Sequence, residues 1–414
     1  MKALSGITVL DLSTIVSGPF CTQMLSDMGA EIIKVEPISG DPTRAWGPPF
    51  IAQESPYFIS VNRGKKSLAL DISSSQGLNL LHKLIQKCDV LVENFKPDRK
   101  VKYGLVYDKV KNLNSKIIHL SITGFGNGTT PIQNTPALDL TMQALTGIMS
   151  VTGPKDEENP VRIGVAWLDV LTGLTGTSGI LSALIQLGRS GKGQYIDLSL
   201  FDVALMSSIN IGETFLVTGK VPTRLGSEHP QIVPYQTFKS KDSWFALAVV
   251  TEKQYGRLVK LLSPSPLDNN AKFDTNSSRV KNRVELIAIL KKLFSKRTSS
   301  DWLNNFTESN IPSSPINNID EVFEMDIAKE RNSVWNVTHP AIGKLPLLAN
   351  ALQHATSGSV SSEIPPPLLG QHTYEVLRDF AKLSEQEIDF LEKNGRVFCS
   401  QKDIEELSGD KPRD

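Results

Sequence analysis

Residues 7–36 read ITVLDLSTIVSGPFCTQMLSDMGAEIIKVE. Residues 7–13 and 31–36 are short runs rich in Ile, Val and Leu, the composition of buried strands. Between them Phe20, Met24, Leu25 and Met28 recur at helical spacing over residues 19–28. Strand, helix and strand in 30 residues form one unit of a parallel sheet, because parallel strands need a crossover.

Outward from this unit the pattern repeats. Strands are predicted at 67–72, 89–95, 117–123 and 194–200, and helices at 76–88, 108–114, 139–148 and 201–218. This alternation predicts an α/β fold with a doubly wound parallel sheet. Ligands of such sheets bind beyond the carboxyl ends of the strands, here residues 14–18, Pro37, 94–97 and 124–128. Beyond residue 218 the character changes. Residues 219–234 are rich in Gly, Pro and His and read as a linker. Residues 235–318 hold a strand at 244–250 and helices at 252–262, 279–295 and 300–309, a smaller α/β domain. Within that block, 263–278 reads as a surface loop and 311–318 (IPSSPINN) as a second linker. The partition is therefore 1–218, 219–234, 235–318 and 319–414.

Composition excludes several classes. Of 414 residues, 40% are hydrophobic and 21% charged, enough for a large core and too apolar for a disordered chain. Lys+Arg and Asp+Glu both number 44, so no excess of cations favours nucleic acid or a membrane surface. Cys21, Cys88 and Cys399 form no CxxC pair, the six histidines lack metal-ligand spacing, and no GxSxG occurs. A disulfide framework, a metal site and a serine triad are not expected. No apolar run reaches the roughly 18 residues that span a bilayer. The opening MKALSGITVLDLS enters a strand without room for a secretory signal or an Arg-rich transit peptide. At face value the protein is soluble and cytoplasmic.

One residue stands out. Residues 163–188, IGVAWLDVLTGLTGTSGILSALIQLG, contain a single ionisable group, Asp169. Gly173, Gly176, Thr177, Ser178, Gly179 and Ala183 allow close helix packing, so the helix is expected to be central and buried. A lone carboxylate there is costly unless bonded. Two compatible readings stay open: a helix cap, or a dry nucleophile. Asn94-Phe95-Lys96-Pro97-Asp98-Arg99-Lys100 combines an amide, an aromatic ring and three cations at a strand end, a candidate nucleotide or phosphate contact. Arg63-Gly64-Lys65-Lys66 is either a solvated turn or a phosphate contact. Gly124-Phe125-Gly126-Asn127-Gly128 departs from GxGxxG and reads as a glycine turn. His229 is a linker histidine, either bonded within its loop or reaching a cleft.

Taken together, residues 4–50 with VNRGKKSLALDI, DVLVENFKPD and DVLTGLTGTSGILSALIQLGRSGKGQYIDLSLFD resemble the class III coenzyme A transferases, the family of formyl-CoA transferase and carnitine CoA-transferase. RLGSEHPQIVPYQTFKSKD and IPPPLLGQHTYEVL resemble its succinyl-CoA:glutarate branch. The resemblance implies a Rossmann-like large domain completed by residues 319–414, a smaller α/β domain, and a homodimer of interlocked chains. It implies Asp169 as the catalytic aspartate, and CoA contacts from Val16, Ser17, Leu70, Ser73, Asn94, Phe95, Lys96 and Lys102. Lys102 and Pro37 stand where the family has arginines, and Thr251-Glu252-Lys253-Gln254 replaces a glycine-rich lid. Arg44 is a candidate substitute cation or substrate-carboxylate contact, and His229 a candidate substrate contact. CoA enters as a thioester substrate with dicarboxylic acids, with no tightly bound cofactor or metal, no nucleic acid and no membrane. Backbone N–H groups at the start of the Asp169 helix are expected to stabilise an oxyanion. The eukaryotic glutarate branch implies a mitochondrial location. An acyl-CoA racemase on the same fold is an alternative, although its histidine position reads Leu138 before Asp139; a non-catalytic CoA-binding protein is another.

Overall fold

The computed structural model describes residues 2–355 and 360–400. The polar stretch expected from 357 begins outside the described residues, as does the end of the C-terminal segment from 401. The chain divides into two compact units, one of residues 1–146, 164–213 and 327–414, the other of 147–163 and 214–326.

In the first unit the parallel strands are β1 (Thr8–Asp11), β2 (Glu31–Glu36), β3 (Lys65–Leu70), β4 (Val90–Glu93), β5 (Ile118–Thr123) and β6 (Gln194–Ser199). They pair in parallel in the order β3-β2-β1-β4-β5-β6. A short strand, Val397–Phe398, adds antiparallel to β3 at the edge. This is the Rossmann order, and it reverses between β1 and β4, which places a crevice beyond those two strands.

The helices that matter here are α1 (Ser17–Asp27), α2 (Ser75–Ile85), α3 (Pro97–Lys102), α4 (Asp139–Leu145), α5 (Trp167–Ser190), α6 (Leu200–Ser207) and α7 (Ile209–Thr218). Each face of the sheet carries a core. Leu10, Ile33, Leu68 and Leu91 pack with α2 and with Val376, Leu377 and Ile388 of the C-terminal segment. Val9, Ile32, Val90 and Leu120 pack with Cys21 and Leu25 of α1 and Ile180 and Ala183 of α5. The alternation along each strand sorts its side chains to the two faces.

The small residues of α5 act as their spacing implies, through close approach. A Cβ added at Gly173 would lie 2.8 Å from the Ser17 carbonyl oxygen, and one at Gly176 3.0 Å from Leu120. Three expectations are corrected. α5 is long and apolar enough to cross a bilayer by length and composition; here it packs against α1 and the sheet instead. It is also not buried all round, since Leu174 and Ile185 on its outer side are exposed. The single helix expected at 201–218 is two, α6 and α7, bent by 78° where Ile209 adopts a positive φ of 26°.

The second unit has its own core, around Phe238, Phe245, Leu258, Leu290, Phe294 and Phe306. Strands Tyr235–Lys239, Trp244–Ala248 and Ser313–Pro315 form an antiparallel sheet. The last of these lies inside the stretch read as a linker. Phe273, within the expected surface loop, is fully buried, because that stretch folds over the core rather than into solvent. Residues 147–163 group with this unit although the sequence partition put them in 1–218. Gly226 N–H donates to the Gly153 carbonyl (3.1 Å) and Arg224 to that of Asn159 (3.0 Å), tying 147–163 to the 219–234 stretch.

Candidate active site

The crevice between β1 and β4 is built on a pinned loop. Asp11 ends β1 fully buried and accepts from Thr22 Oγ1 (2.6 Å), Lys65 Nζ (3.1 Å) and the Ser13 hydroxyl. Beyond it Ile15 has φ +72°, a left-handed conformation strained for a β-branched residue. Asn94, just past β4, holds this loop: its Oδ1 accepts from Thr14 N (3.0 Å) and its Nδ2 donates to Thr14 O (2.9 Å). The loop then delivers Val16 as the N-cap and Ser17 as the first residue of α1.

Ser17 donates its hydroxyl to Asp169 Oδ1. Asp169 is the third residue of α5 and only 8% exposed. Burial raises its carboxyl, the Ser17 hydrogen bond opposes this, and the Asp139 charge adds to it; the result is a pKa of about 6. At neutral pH about nine-tenths of such a group is carboxylate. Asp169 is therefore ionised, poorly solvated and a stronger base than an exposed aspartate, as a carboxylate nucleophile requires.

The cap reading of Asp169 is corrected. The cap is Asp139, whose Oδ2 accepts from Leu168 N (2.9 Å) and Asp169 N (3.3 Å) while Gln143 Nε2 donates to its Oδ1 (2.5 Å). Trp167 N–H goes to Val165 O (2.8 Å) and Val170 N–H to Ala166 O (3.0 Å). The backbone donors of Trp167, Leu168, Asp169 and Val170 are all engaged, so none of these four is free to serve as the expected oxyanion donor. Asp139 was missed in its own role, because nothing in the sequence relates it to a helix start 29 residues away. Leu138, in the position where a racemase has its histidine, is exposed and apolar.

Beyond the strand ends lies a cleft of about 1090 Å³. Of the expected contacts, Leu70, Ser73, Asn94, Phe95 and Lys96 line it, with Thr14, Pro37 and Arg99. Phe95 packs edge-on against Tyr103 at 5.6 Å, giving the cleft an aromatic wall. Lys96 and Arg99 are exposed at this wall and form no salt bridge among the described residues. Val16, Ser17 and Asp169 do not line the cleft; Ser17 follows the cleft-lining Thr14 by three residues, at most about 11 Å of chain. Lys102 is exposed and does not line the cleft; its ammonium lies 5.4 Å from the Tyr103 ring.

Several other expected cations are engaged internally. Arg63 pairs with Asp27 (2.6 Å), Lys65 with Asp11, and Lys66 with Glu31 and Glu375 (2.6 Å each), so the 63–66 cluster presents no phosphate contact. Lys100 is buried and donates to Ser121 (3.0 Å) and Asn127 (2.9 Å). Arg44 is stacked on Phe58 at 3.6 Å and bonded to both Glu36 oxygens (2.7 and 2.8 Å), leaving its guanidinium committed rather than open to a substrate carboxylate. His229 lies in the second unit, half-buried, with Nδ1 accepting from Gln231 N (3.1 Å); burial and the nearby Arg283 lower its pKa. Thr251 and Gln254 form a capping box that opens the helix Glu252–Leu262. No group of three or more His, Cys, Asp or Glu side chains is placed to hold a metal among the described residues.

A parallel sheet in Rossmann order with a cleft of this size at its switch point defines an α/β protein that binds a ligand beyond its strand ends. The profile of CoA-transferase family III matches residues 4–373. Succinyl-CoA:glutarate CoA-transferase of Mus musculus is 39% identical over 401 residues, 97% of this chain and 90% of the mouse protein. Succinyl-CoA:mesaconate CoA-transferase of Haloarcula hispanica is 32% identical over 91% of this chain and 96% of its own. A CAIB/BAIF family protein from Brucella suis, solved by crystallography, superposes with a TM-score of 0.80 at 37% identity, covering 91% of this chain and 98% of that one. The chain belongs to CoA-transferase family III and is a CoA-transferase.

Proposed function

We propose that this enzyme moves CoA from succinyl-CoA to glutarate or a related dicarboxylate through covalent intermediates on Asp169. The observation that carries the reading is the Asp169 carboxylate itself, buried, ionised at neutral pH and bonded to Ser17, three residues along the chain from the cleft-lining Thr14. At about 1090 Å³ the cleft lies at the top of the range for small-molecule sites, room for a nucleotide thioester rather than a dicarboxylate alone. The mouse relative's name supplies the substrate pair.

Asp169 attacks the acyl carbon of succinyl-CoA and CoA leaves as thiolate, giving a mixed anhydride. The thiolate then attacks the aspartyl carbon and succinate leaves, giving an aspartyl-CoA thioester. The acceptor carboxylate reverses these steps. Anhydrides hydrolyse, so exclusion of water from Asp169 matters. Leu70, Ser73 and Phe95 bind the nucleotide end, and Lys96 and Arg99 its phosphates. Asn94 acts differently from the expected ligand contact, since its amide is committed to Thr14 and so positions the Ser17 loop.

Changing Asp169 to Ala is expected to abolish transfer; activity within about tenfold of wild type, 1.4 kcal/mol, overturns the reading. Initial rates with a panel of dicarboxylic acids and succinyl-CoA as donor test the acceptor. The homodimer reading is supported by apolar side chains exposed in the single chain, Ile185 at 61% and Ile209 at 72% among them. Light scattering that gives one chain's mass at micromolar protein excludes it. A mitochondrial location rests on the resemblance alone and is tested by fractionating cells that express the full protein.

A further inference from the structure

We infer that Ser17 is a catalytic residue, the hydroxyl donor that stabilises the oxyanion formed on the aspartyl carbon of Asp169 in the two steps that make and break the thioester. This rests on the function proposed above. It gives Ser17 a role different from the CoA contact implied by resemblance.

The inference comes from what the site leaves free. The backbone N–H groups of residues 167–170 at the start of α5 are engaged, two of them by Asp139. The one hydrogen bond that reaches the Asp169 carboxyl among the described side chains comes from Ser17 Oγ, onto Oδ1. That leaves Oδ2 as the oxygen free to attack.

When Oδ2 attacks the acyl carbon, the carbon–sulfur bond breaks and sulfur departs with the electron pair as thiolate. Oδ2 becomes the bridging oxygen of the anhydride and Oδ1 the aspartyl carbonyl oxygen. The thiolate then adds to the aspartyl carbon and the carbonyl pair moves onto Oδ1, which becomes the oxyanion. Collapse breaks the bond to Oδ2 and releases succinate as its carboxylate, leaving the thioester. Addition of the acceptor carboxylate to that thioester puts the negative charge on Oδ1 again before thiolate leaves. No proton or external electron is consumed.

In both steps Oδ1 changes from a neutral carbonyl oxygen to a full anion, and a hydrogen bond to an ionised acceptor is about twice as strong as one to a neutral acceptor. The Ser17 bond therefore strengthens on going to the transition state, which is the condition for accelerating a step rather than merely binding its reactant. The strained, Asn94-pinned loop before Ser17 fixes the hydroxyl in advance of the reaction, so no reorganisation is needed.

The test uses the full-length protein and the variants S17A and S17T. In wild type, succinyl-CoA alone should place CoA on Asp169, read by rapid quench and mass spectrometry. In S17A, thioester formation and kcat should both fall about 100-fold, with KM for succinyl-CoA within about threefold. S17T keeps the hydroxyl and should recover at least about tenfold of that loss. S17A forming the thioester at the wild-type rate overturns the inference, as does a raised KM with kcat intact, the mark of a CoA contact. S17T no faster than S17A also overturns it. If S17A melts before assay temperature, S17C, with its weak S–H donor, takes its place and should fall between S17A's expected loss and wild type. Absence of any adduct in wild type defeats the proposed function instead, whatever Ser17 does.

Discussion

Asp169 is a buried acid with two neighbours that act oppositely on its proton, and this makes its titration a direct probe of the site. Burial, then Ser17 in the opposing sense, then Asp139 leave it near a pKa of about 6. The nucleophile is the carboxylate, so kcat/KM should fall as pH drops through about 6 and level above it. Asp139→Asn keeps an acceptor for the Leu168 and Asp169 N–H groups and removes the negative charge. Its acid limb should move toward lower pH, measured on the same profile. An unmoved limb means that Asp139 acts on α5 as a cap alone. Asp169 was legible in the sequence because one charge in 26 residues is conspicuous. Ser17 was legible as a site residue but not in its bonding, since its partner is 152 positions away.

Among the elements, the pairing of α1 with α5 sets the distance between Ser17 and Asp169. Gly173 faces the Ser17 carbonyl at 2.8 Å from where a Cβ would stand, and backbone on that side leaves little room to yield. Gly173→Ala should therefore push the helices apart. We expect a destabilisation of about 1–3 kcal/mol in urea titrations, together with a loss of kcat larger than stability alone explains, because the displaced group is Ser17 itself. Wild-type kcat in a folded G173A enzyme would show that the spacing is not critical. The glycines of α5 announced a close contact in the sequence, though not which helix it meets. The break between α6 and α7 gave no such notice: no Gly or Pro marks residues 207–210, and the turn at Ile209 is imposed by context rather than by local preference.

Across the molecule, the first unit's sheet carries a buried ladder of ions under the β1 loop: Asp11 with Lys65, Lys34 with Asp41 (2.9 Å), and Glu36 with Arg44 (2.7 Å). Burial alone would raise the Asp11 carboxyl. Lys65, Lys34 and the Ser13 and Thr22 hydroxyls outweigh it and hold the pKa at about 2. A carboxyl lowered on folding stabilises the fold above its unfolded value near 3.8 and loses that contribution as pH falls toward 2. Chemical denaturation at pH 7 and pH 3 should show part of this loss, on the order of 1 kcal/mol from Asp11, the rest going only as pH falls below 2. Lys65→Ala leaves Asp11 buried without its nearest cation and should cost about 3 kcal/mol or more. A cost below about 1 kcal/mol would assign the Asp11 charge to Lys34 and the hydroxyls instead. The cations at 63–66 illustrate why sequence alone misplaced them. A run of Lys and Arg reads as solvated or ligand-binding, and only the packed sheet brings Asp27 and Asp11 to neutralise it.

The sequence by itself determined the parallel α/β sheet and its strand ends, and it isolated Asp169, because hydrophobic period and charge density are local quantities. The tertiary structure alone decided which side chains hold that carboxylate, which donors at the α5 start remain free, and which cations face the cleft. Those outcomes depend on hydrogen bonds and desolvation between residues far apart in the chain, and neither is written in any one segment of it.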